Sequence, residues 1–186
     1  MSGKASSLSI PVQIDTGIFQ DFAVFDVLQR QKRWQRPLLF TVIMLAFAVV
    51  CFVQVGRREG AALLGGVLTV VAVGLPVVYF GMFFHSVRQQ AKRMGLTTLK
   101  DAYRVELEET GVRMLPAGQQ DKATQAISHT WDQVYGVWRT PGAIYLYVTA
   151  QQAYLLPEAQ IPSGADRAWE LLGNCLPAEK LHTVRR

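Results

Sequence analysis

The chain contains two long apolar runs, one directly after the other. Twenty residues without a charge precede Arg57, and twenty-five precede His85. In a helix that rises 1.5 Å per residue, about 20 apolar residues cross a hydrocarbon layer of about 30 Å. The linker GRREG between the runs is too short for anything except two adjacent antiparallel helices. The sequence therefore predicts a transmembrane helical hairpin at 37–84, with spans at about 37–55 and 61–84.

Basic residues are concentrated around this hairpin. Residues 1–100 carry 11 basic and 4 acidic side chains, whereas residues 101–186 carry 8 basic and 10 acidic ones. The net charge of +5 therefore comes from the membrane half, and the remainder shows no basic face for nucleic acid. The cations that directly flank the two spans are Arg30, Lys32, Arg33, Arg36, Arg88, Lys92 and Arg93.

These cations predict an orientation and a contact. Basic residues accumulate on the cytoplasmic side of a membrane, and the hairpin loop holds only Arg57 and Arg58. We therefore expect a multi-pass membrane protein with both termini in the cytoplasm. A basic residue near an anionic surface gains about 1 kcal/mol, so anionic lipid head groups are the expected partner of the seven cations. Alternatively, each basic segment is a helix in water, and its cations are solvated and contact no lipid.

The second span contains features that predict helix packing and a kink. Four small residues near its start allow close helix contact, with the first span or with a second copy of the chain. Further along, Pro76 leaves the carbonyl of Ala72 without its helical donor, which a neighbouring side chain or water can replace. The interruption at Gly74 and Pro76 serves either as a hinge or as an adjustment of span length. The small residues are Ala61, Ala62, Gly65 and Gly66.

Residues 1–36 are expected to form a strand and an amphipathic helix. Apolar and polar residues alternate from Leu8 to Ile14, which is typical of a half-buried strand. Pro11 lacks an N–H donor, so this strand is expected at a sheet edge or at a bulge. Asp15 or Thr16 can cap the helix that follows, which lies either at the membrane interface or on the soluble domain. We expect the strand to pair with strands beyond the hairpin.

The rest of the chain divides into a basic helix and linker at 85–101, in which Gly95 can end the helix, and a β-rich domain at 102–186. Regular short strands separated by turn residues are typical of a sandwich or barrel. A final amphipathic helix, for which Ser163 is the expected cap, must cover part of it, and the last six residues are expected to be irregular. With the first strand, about seven strands result. The sequence thus predicts an α+β membrane protein, in which a pleckstrin-homology-like (PH-like) antiparallel β-roll is capped by a C-terminal helix and split by the hairpin.

Three stretches resemble a known family. They are SHTWDQVYGV (128–137), IYLY (144–147) and LLP (155–157), preceded by the turn EETGV (108–112). In these motifs and in the order of strand, two spans and basic linker, the chain resembles the YcxB-like family of small bacterial membrane proteins. The resemblance implies a location in the bacterial inner membrane, a PH-like C-terminal fold and no known reaction. The family usually has a basic residue after that proline, where this chain has Glu158, so anion binding at this position is not carried over.

The sequence contains no motif that indicates catalysis or a cofactor. It has no P-loop, GxSxG, HExxH, CxxC or GxGxxG, and its two cysteines and three histidines lack the spacing of a metal site. Glu106 and Glu108 share a strand face and His129 lies on another strand, but a solvated face and a packed ring account for them. We expect no catalytic residues, no cofactor and no metal.

Three functions remain as hypotheses. The first is a non-enzymatic integral membrane protein whose cytosolic PH-like domain binds a protein partner or a lipid head group and acts as a regulatory module. The second is a protective protein, of an immunity or envelope-stress type, that acts through its hairpin and self-association of its small residues. The third is a membrane enzyme that uses Glu106, Glu108 or His129.

Overall fold

The computed structural model describes residues 7–117 and 126–184. Its backbone contacts separate two compact units. The β-unit combines the described residues up to Ile18 with those from Leu96 onward, and the hairpin unit is Phe19–Gly95. The β-unit is therefore discontinuous in sequence, and the hairpin unit is inserted into it.

The first sheet of the β-unit joins the two ends of this insertion. It is antiparallel with the order β1-β2-β3-β4. Leu8 lies opposite Leu107, and Ile14 lies opposite Lys100. The predicted pairing of the first strand with strands beyond the hairpin is thus confirmed. The strands are β1 (Leu8–Ile14), β2 (Lys100–Glu108), β3 (Gly111–Pro116) and β4 (Ile127–Thr130).

Strand β1 has both properties that its proline predicted. It lies at the sheet edge, and the register shifts by a bulge between Val12 and Gln13. The side chain of Gln160 covers the outer edge at the bulge: its Oε1 accepts from Gln13 N at 2.7 Å, and its Nε2 donates to Gln13 O at 2.9 Å. This side-chain amide replaces a neighbouring strand and blocks further pairing at this point.

The second sheet has the order β7-β6-β5-β8. Strands β5 to β7 are antiparallel, and β8 runs parallel to β5, with Val137 opposite Leu181. The expectation of an irregular C-terminal end is wrong for Leu181–Thr183, because β5 offers these residues a free strand edge. The described residues form eight strands instead of about seven. The strands are β5 (Gly136–Thr140), β6 (Ala143–Tyr147), β7 (Ala153–Pro157) and β8 (Leu181–Thr183).

The C-terminal helix Ala165–Cys175 covers part of the core. It begins at Gly164, which has φ +84°, and Ser163 makes no capping bond, so the predicted serine cap is wrong. Ala168 and Leu172 are fully buried on one helix face. They join a core from both sheets whose largest members are Ile10, Leu107, Ile144, Leu146, Tyr147 and Leu156.

Helix α1 (Thr16–Val24) follows β1. The side chain of Asp15 accepts a hydrogen bond from Ile18 N at 2.8 Å, which confirms the predicted cap. The helix continues as a π-helix, Phe25–Arg30, in which Phe25 is buried. The final helix Ala165–Cys175 is accordingly α4.

The hairpin unit is built around two antiparallel helices, α2 (Gln35–Val53) and α3 (Ala61–Arg93). Each contains an 18-residue window with a mean hydropathy of 2.3, so both are long and apolar enough to cross a membrane. Helix α3 continues without interruption from the second apolar run into the basic segment and ends at Arg93, two residues before Gly95, where φ is +71°. Most of their large apolar side chains are exposed in the isolated chain.

Pro76 lies inside the continuous helix α3. The carbonyl that it deprives of a donor, Ala72 O, lies 3.1 Å from the Thr41 hydroxyl of α2. The same hydroxyl lies 2.9 Å from Pro37 O, so its single proton is shared between two carbonyls. The prediction that a neighbouring side chain satisfies Ala72 is therefore confirmed, and this contact fixes the register of the two helices.

We expect Thr41→Val to destabilise the hairpin by about 0.5–2 kcal/mol, because an interhelical hydrogen bond is lost. Reversible unfolding of the full chain in mixed micelles measures this loss. Thr69→Val is the matched control, since the Thr69 hydroxyl bonds only to Gly65 O of its own helix at 2.8 Å. In a Pro76→Ala background Ala72 O regains its helical donor, so Thr41→Val should cost less. An equal cost in both backgrounds contradicts the assignment.

Removing residues 1–15 should prevent the β-unit from folding, because β2 then loses its hydrogen-bonded neighbour and the core loses Ile10, Val12 and Ile14. The test replaces residues 19–95 by a short Gly/Ser linker and compares this protein with residues 96–186 alone. Only the protein that retains β1 should give a cooperative urea transition with dispersed amide resonances. A stable, monodisperse fragment 96–186 contradicts the role assigned to β1.

Candidate functional site

The hairpin brings the predicted cations to one end. Because α2 and α3 are antiparallel, the start of α2 and the end of α3 lie at the end opposite to the Gly56–Gly60 loop. We call this the basic end of the hairpin. Its exposed cations are Lys32, Arg33, Arg36, Arg88, Lys92 and Arg93.

Arg30 differs from these six cations. Its Nε lies 2.6 Å from Asp26 Oδ1, and both side chains are largely buried. Asp26 Oδ2 also accepts a hydrogen bond from Gln31 Nε2 at 2.5 Å. The charge of Arg30 is therefore balanced inside its own segment, and Asp26 is fully engaged.

The cations at the two helix ends do not lie at one level. The Thr41–Ala72 contact places Arg36 roughly level with Val77, since the helices are antiparallel and rise equally. Arg88 then lies about 16 Å farther along the hairpin axis. The basic end consequently has two levels, with Arg36 on the lower one and Arg88 on the upper one.

The four small residues of α3 divide into two environments. A Cβ atom on Gly65 would lie 3.0 Å from the Phe52 ring, so this glycine allows the close contact of α2 with α3. Gly66 has open space around its Cα, Ala62 is exposed and Ala61 is half-buried. Gly65 therefore serves packing within the hairpin, while Ala62 and Gly66 remain accessible.

Two of the three candidate acid–base residues line one cleft. Glu108 and His129 line an open cleft of about 300 Å³, beside Arg113 and Ser128. His129 Nε2 is sealed from solvent, and neither it nor the Tyr154 hydroxyl has a hydrogen-bond partner among the described residues. A general base must reach the proton that it removes, and in this structure the Nε2 atom of His129 is not open to the cleft.

An ionic cluster forms around Arg139 on β5. Its Nη2 lies 2.7 Å from Asp166 Oδ1 and its Nε lies 3.5 Å from Glu158 Oε1. The hydrogen bond to Asp166 raises the pKa of Arg139, and the guanidinium lies 6.0 Å from the Trp169 ring centre. Glu158, the residue that departs from the family pattern, thus faces an arginine of its own chain. Sequence periodicity missed this cluster, because its members come from three separate elements.

Tyr103 links the two sheets. Its hydroxyl accepts a hydrogen bond from Leu155 N at 2.8 Å and lies 3.3 Å from Leu155 O. Burial raises the pKa of Tyr103 well above its usual value, because the phenolate would be desolvated. The alternation of β2 places this residue on the inner face, but no sequence signal identified its partner.

Trp131 has a structural role as well. Its indole N–H is shared between the carbonyls of Glu108 and Glu109, both at 3.1 Å. It is largely buried and holds the turn between β2 and β3. Two parts of the family-like pattern, the EETGV turn and the WDQVYGV segment, are therefore in direct contact.

Comparison with known proteins identifies one family. Residues 120–168 match the family model described as YcxB-like protein. This match confirms the resemblance seen in the sequence. It covers about a quarter of the chain, from before β4 into α4, and includes Trp131 and Glu158. No curated protein and no solved structure matches the chain.

Replacing Tyr103 by Phe should cost about 1–3 kcal/mol at neutral pH, because it leaves the buried Leu155 N–H without a partner. A raised folded-state pKa means that the folded chain holds this proton more tightly than the unfolded chain does. Stability should therefore fall as pH rises above about 10, with a slope of up to about 1.4 kcal/mol per pH unit from this group.

Denaturant titrations of the full chain at neutral and alkaline pH measure both effects. At alkaline pH, Tyr103→Phe should remove the contribution of Tyr103 to the fall of the unfolding free energy with rising pH. Tyr135→Phe, whose ring is 53% exposed, should have the stability of wild type at both pH values. A variant Tyr103→Phe with unchanged stability contradicts the inter-sheet role.

Proposed function

We propose that this chain is a non-enzymatic, multi-pass protein of the bacterial inner membrane, with both termini in the cytoplasm. Its β-unit acts as a cytosolic PH-like module that binds anionic lipid head groups or a protein partner and has a regulatory role. The observation that carries this proposal is the insertion of an apolar helical hairpin between two adjacent strands of one sheet.

Exposed apolar surface supports insertion into the membrane. Val53, Leu63 and Met82 are each about 70% exposed or more, and similar side chains surround both helices. Burying one such side chain gains about 1.5–3 kcal/mol. A hydrocarbon environment supplies this burial for both helices at once, since their length matches its thickness.

The order of elements in the β-unit supports a PH-like roll. A four-stranded antiparallel sheet is followed by three antiparallel strands and then by one amphipathic helix. This is the kind of fold that the family resemblance implies. Strand β8 is an addition at the edge of the second sheet.

The charges support the orientation and the class of ligand. Six exposed cations lie at the basic end, whereas Arg57 and Arg58 share the loop with Glu59. Positive charge predominates on the cytoplasmic side. Anionic head groups are the nearest source of the negative charge that the basic end lacks.

Purification from native membranes tests the proposal. The full chain should resist carbonate extraction, require detergent, and retain anionic phospholipid in excess over its share of the bulk membrane. High salt should reduce this excess, because screening weakens contacts at the surface. Mass spectrometry of the copurified lipids and proteins gives the readout. Carbonate-soluble protein overturns membrane insertion, and the absence of both a lipid excess and a stoichiometric protein partner overturns the binding role.

A protective role of the hairpin is the second candidate, and the accessible Ala62 and Gly66 favour it. Gly66→Leu should then abolish the role while the hairpin remains folded, and loss of the β-unit should be tolerated. The residue Gly65 is unsuitable for this test, because a leucine there collides with Phe52 in the same chain.

A further inference from the structure

Arg88 and Lys92 form an unbalanced pair of charges on α3. They are separated by four residues, are both exposed, and make no ion pair within residues 7–117 and 126–184. Like charges at this spacing disfavour a helix. The hairpin unit contains three acidic residues: Asp26 is engaged with Arg30, Glu59 lies at the loop end, and Asp21 of α1 makes no ion pair with Arg88 or Lys92 among the described residues. Within the described residues no acidic side chain balances this pair, which leaves both cations accessible to an anionic ligand.

The two cations continue an apolar stripe on the same helix face. Residues spaced by three and four positions share one face of a helix. A Cβ atom at Gly81 would meet nothing within 4 Å, so there is open space on the helix surface between its two large neighbours. We call this space the groove. All members of this α3 stripe are exposed; they are Val77, Gly81, Phe84, Arg88 and Lys92.

Helix α2 does not cover the upper part of this stripe. The Thr41–Ala72 contact places the beginning of α2 roughly level with Val77, so Gly81 and Phe84 lie beyond it. From Val77 to Arg88 the stripe rises about 16 Å, which is within the length of an extended acyl chain with its head group. An apolar groove thus leads directly to two unpaired cations.

We propose that the α3 stripe binds one anionic phospholipid. Its phosphate lies between Arg88 and Lys92, where the guanidinium can donate two parallel hydrogen bonds. One acyl chain lies along Phe84, Gly81 and Val77. This inference rests on the proposed membrane insertion. An acidic protein segment fits less well, because it lacks an apolar part that would contact the groove below the cations.

The test uses the full chain in phosphatidylcholine nanodiscs with a defined fraction of phosphatidylglycerol. Native mass spectrometry measures how much phosphatidylglycerol stays bound. The double variant Arg88→Gln/Lys92→Gln should weaken this binding about tenfold to thirtyfold. Gly81→Leu should weaken it severalfold with all charges retained, because the leucine fills the groove.

Two matched variants serve as controls. Arg57→Gln/Arg58→Gln removes the same charge at the loop end, and Gly66→Leu makes the same replacement where α3 is also open. Both should bind phosphatidylglycerol as wild type does. Glycerol phosphate, offered as a free competitor, should not displace the lipid, since it lacks the acyl chain.

The outcomes separate this inference from the proposed function. If Arg33→Gln/Arg36→Gln loses the lipid while Arg88→Gln/Lys92→Gln keeps it, the α3 stripe is wrong and a lipid role of the basic end remains. If Gly81→Leu binds as wild type, or if glycerol phosphate competes, the acyl-chain groove is overturned. If the wild-type chain shows no preference for phosphatidylglycerol, both the inference and the lipid arm of the proposed function fail.

Discussion

The pairing of β1 with β2 is the constraint on which the rest of the structure depends. These strands are neighbours in the first sheet, although the whole hairpin unit lies between them in sequence. Their backbone hydrogen bonds therefore close a very long loop, and the entropy of that closure is limited because α2 and α3 fold back on each other. A hairpin returns the chain to its starting point, which a single long helix cannot do. The architecture thus requires an even number of long helices between Ile14 and Lys100.

Within the hairpin unit, one polar contact compensates for a backbone defect. An unsatisfied carbonyl is costly where water is absent, and Pro76 creates such a carbonyl at Ala72. Thr41 supplies the missing donor from the opposite helix. The proline and the threonine therefore act as a pair, in which the defect of one helix provides the attachment point of the other. The register set in this way also determines how far α3 extends beyond α2, and hence where its cations lie.

The polar groups of the two units are used differently. In the β-unit, three polar side chains have partners within the fold: Arg139 contacts two carboxylates, Tyr103 a strand backbone and Trp131 a turn. At the basic end of the hairpin, Arg88 and Lys92 have no such partner among the described residues. Charges that have no partner within the fold are available for a ligand. In this chain, two such charges lie at the basic end of the hairpin.

The sequence by itself determined the features that depend on local periodicity and on backbone chemistry. Twenty uncharged residues indicate a membrane-length helix, and an alternating run with Pro11 indicates an edge strand. The positions of Asp15 and Gly95 indicate where helices begin and end. Each of these follows from a few consecutive residues, so no knowledge of the partner is needed.

Only the tertiary structure decided which distant groups meet. Leu181–Thr183 become a strand because β5 has a free edge, and Gly164 replaces the serine as helix cap because the chain turns there with positive φ. Similarly, Arg139 meets Asp166 only after a strand and α4 have packed together. Such contacts depend on the tertiary packing of the whole chain. The pattern of neighbouring residues in the sequence does not predict that packing. The sequence therefore determined the elements and their charges, and the packing decided which of those charges remain unpaired.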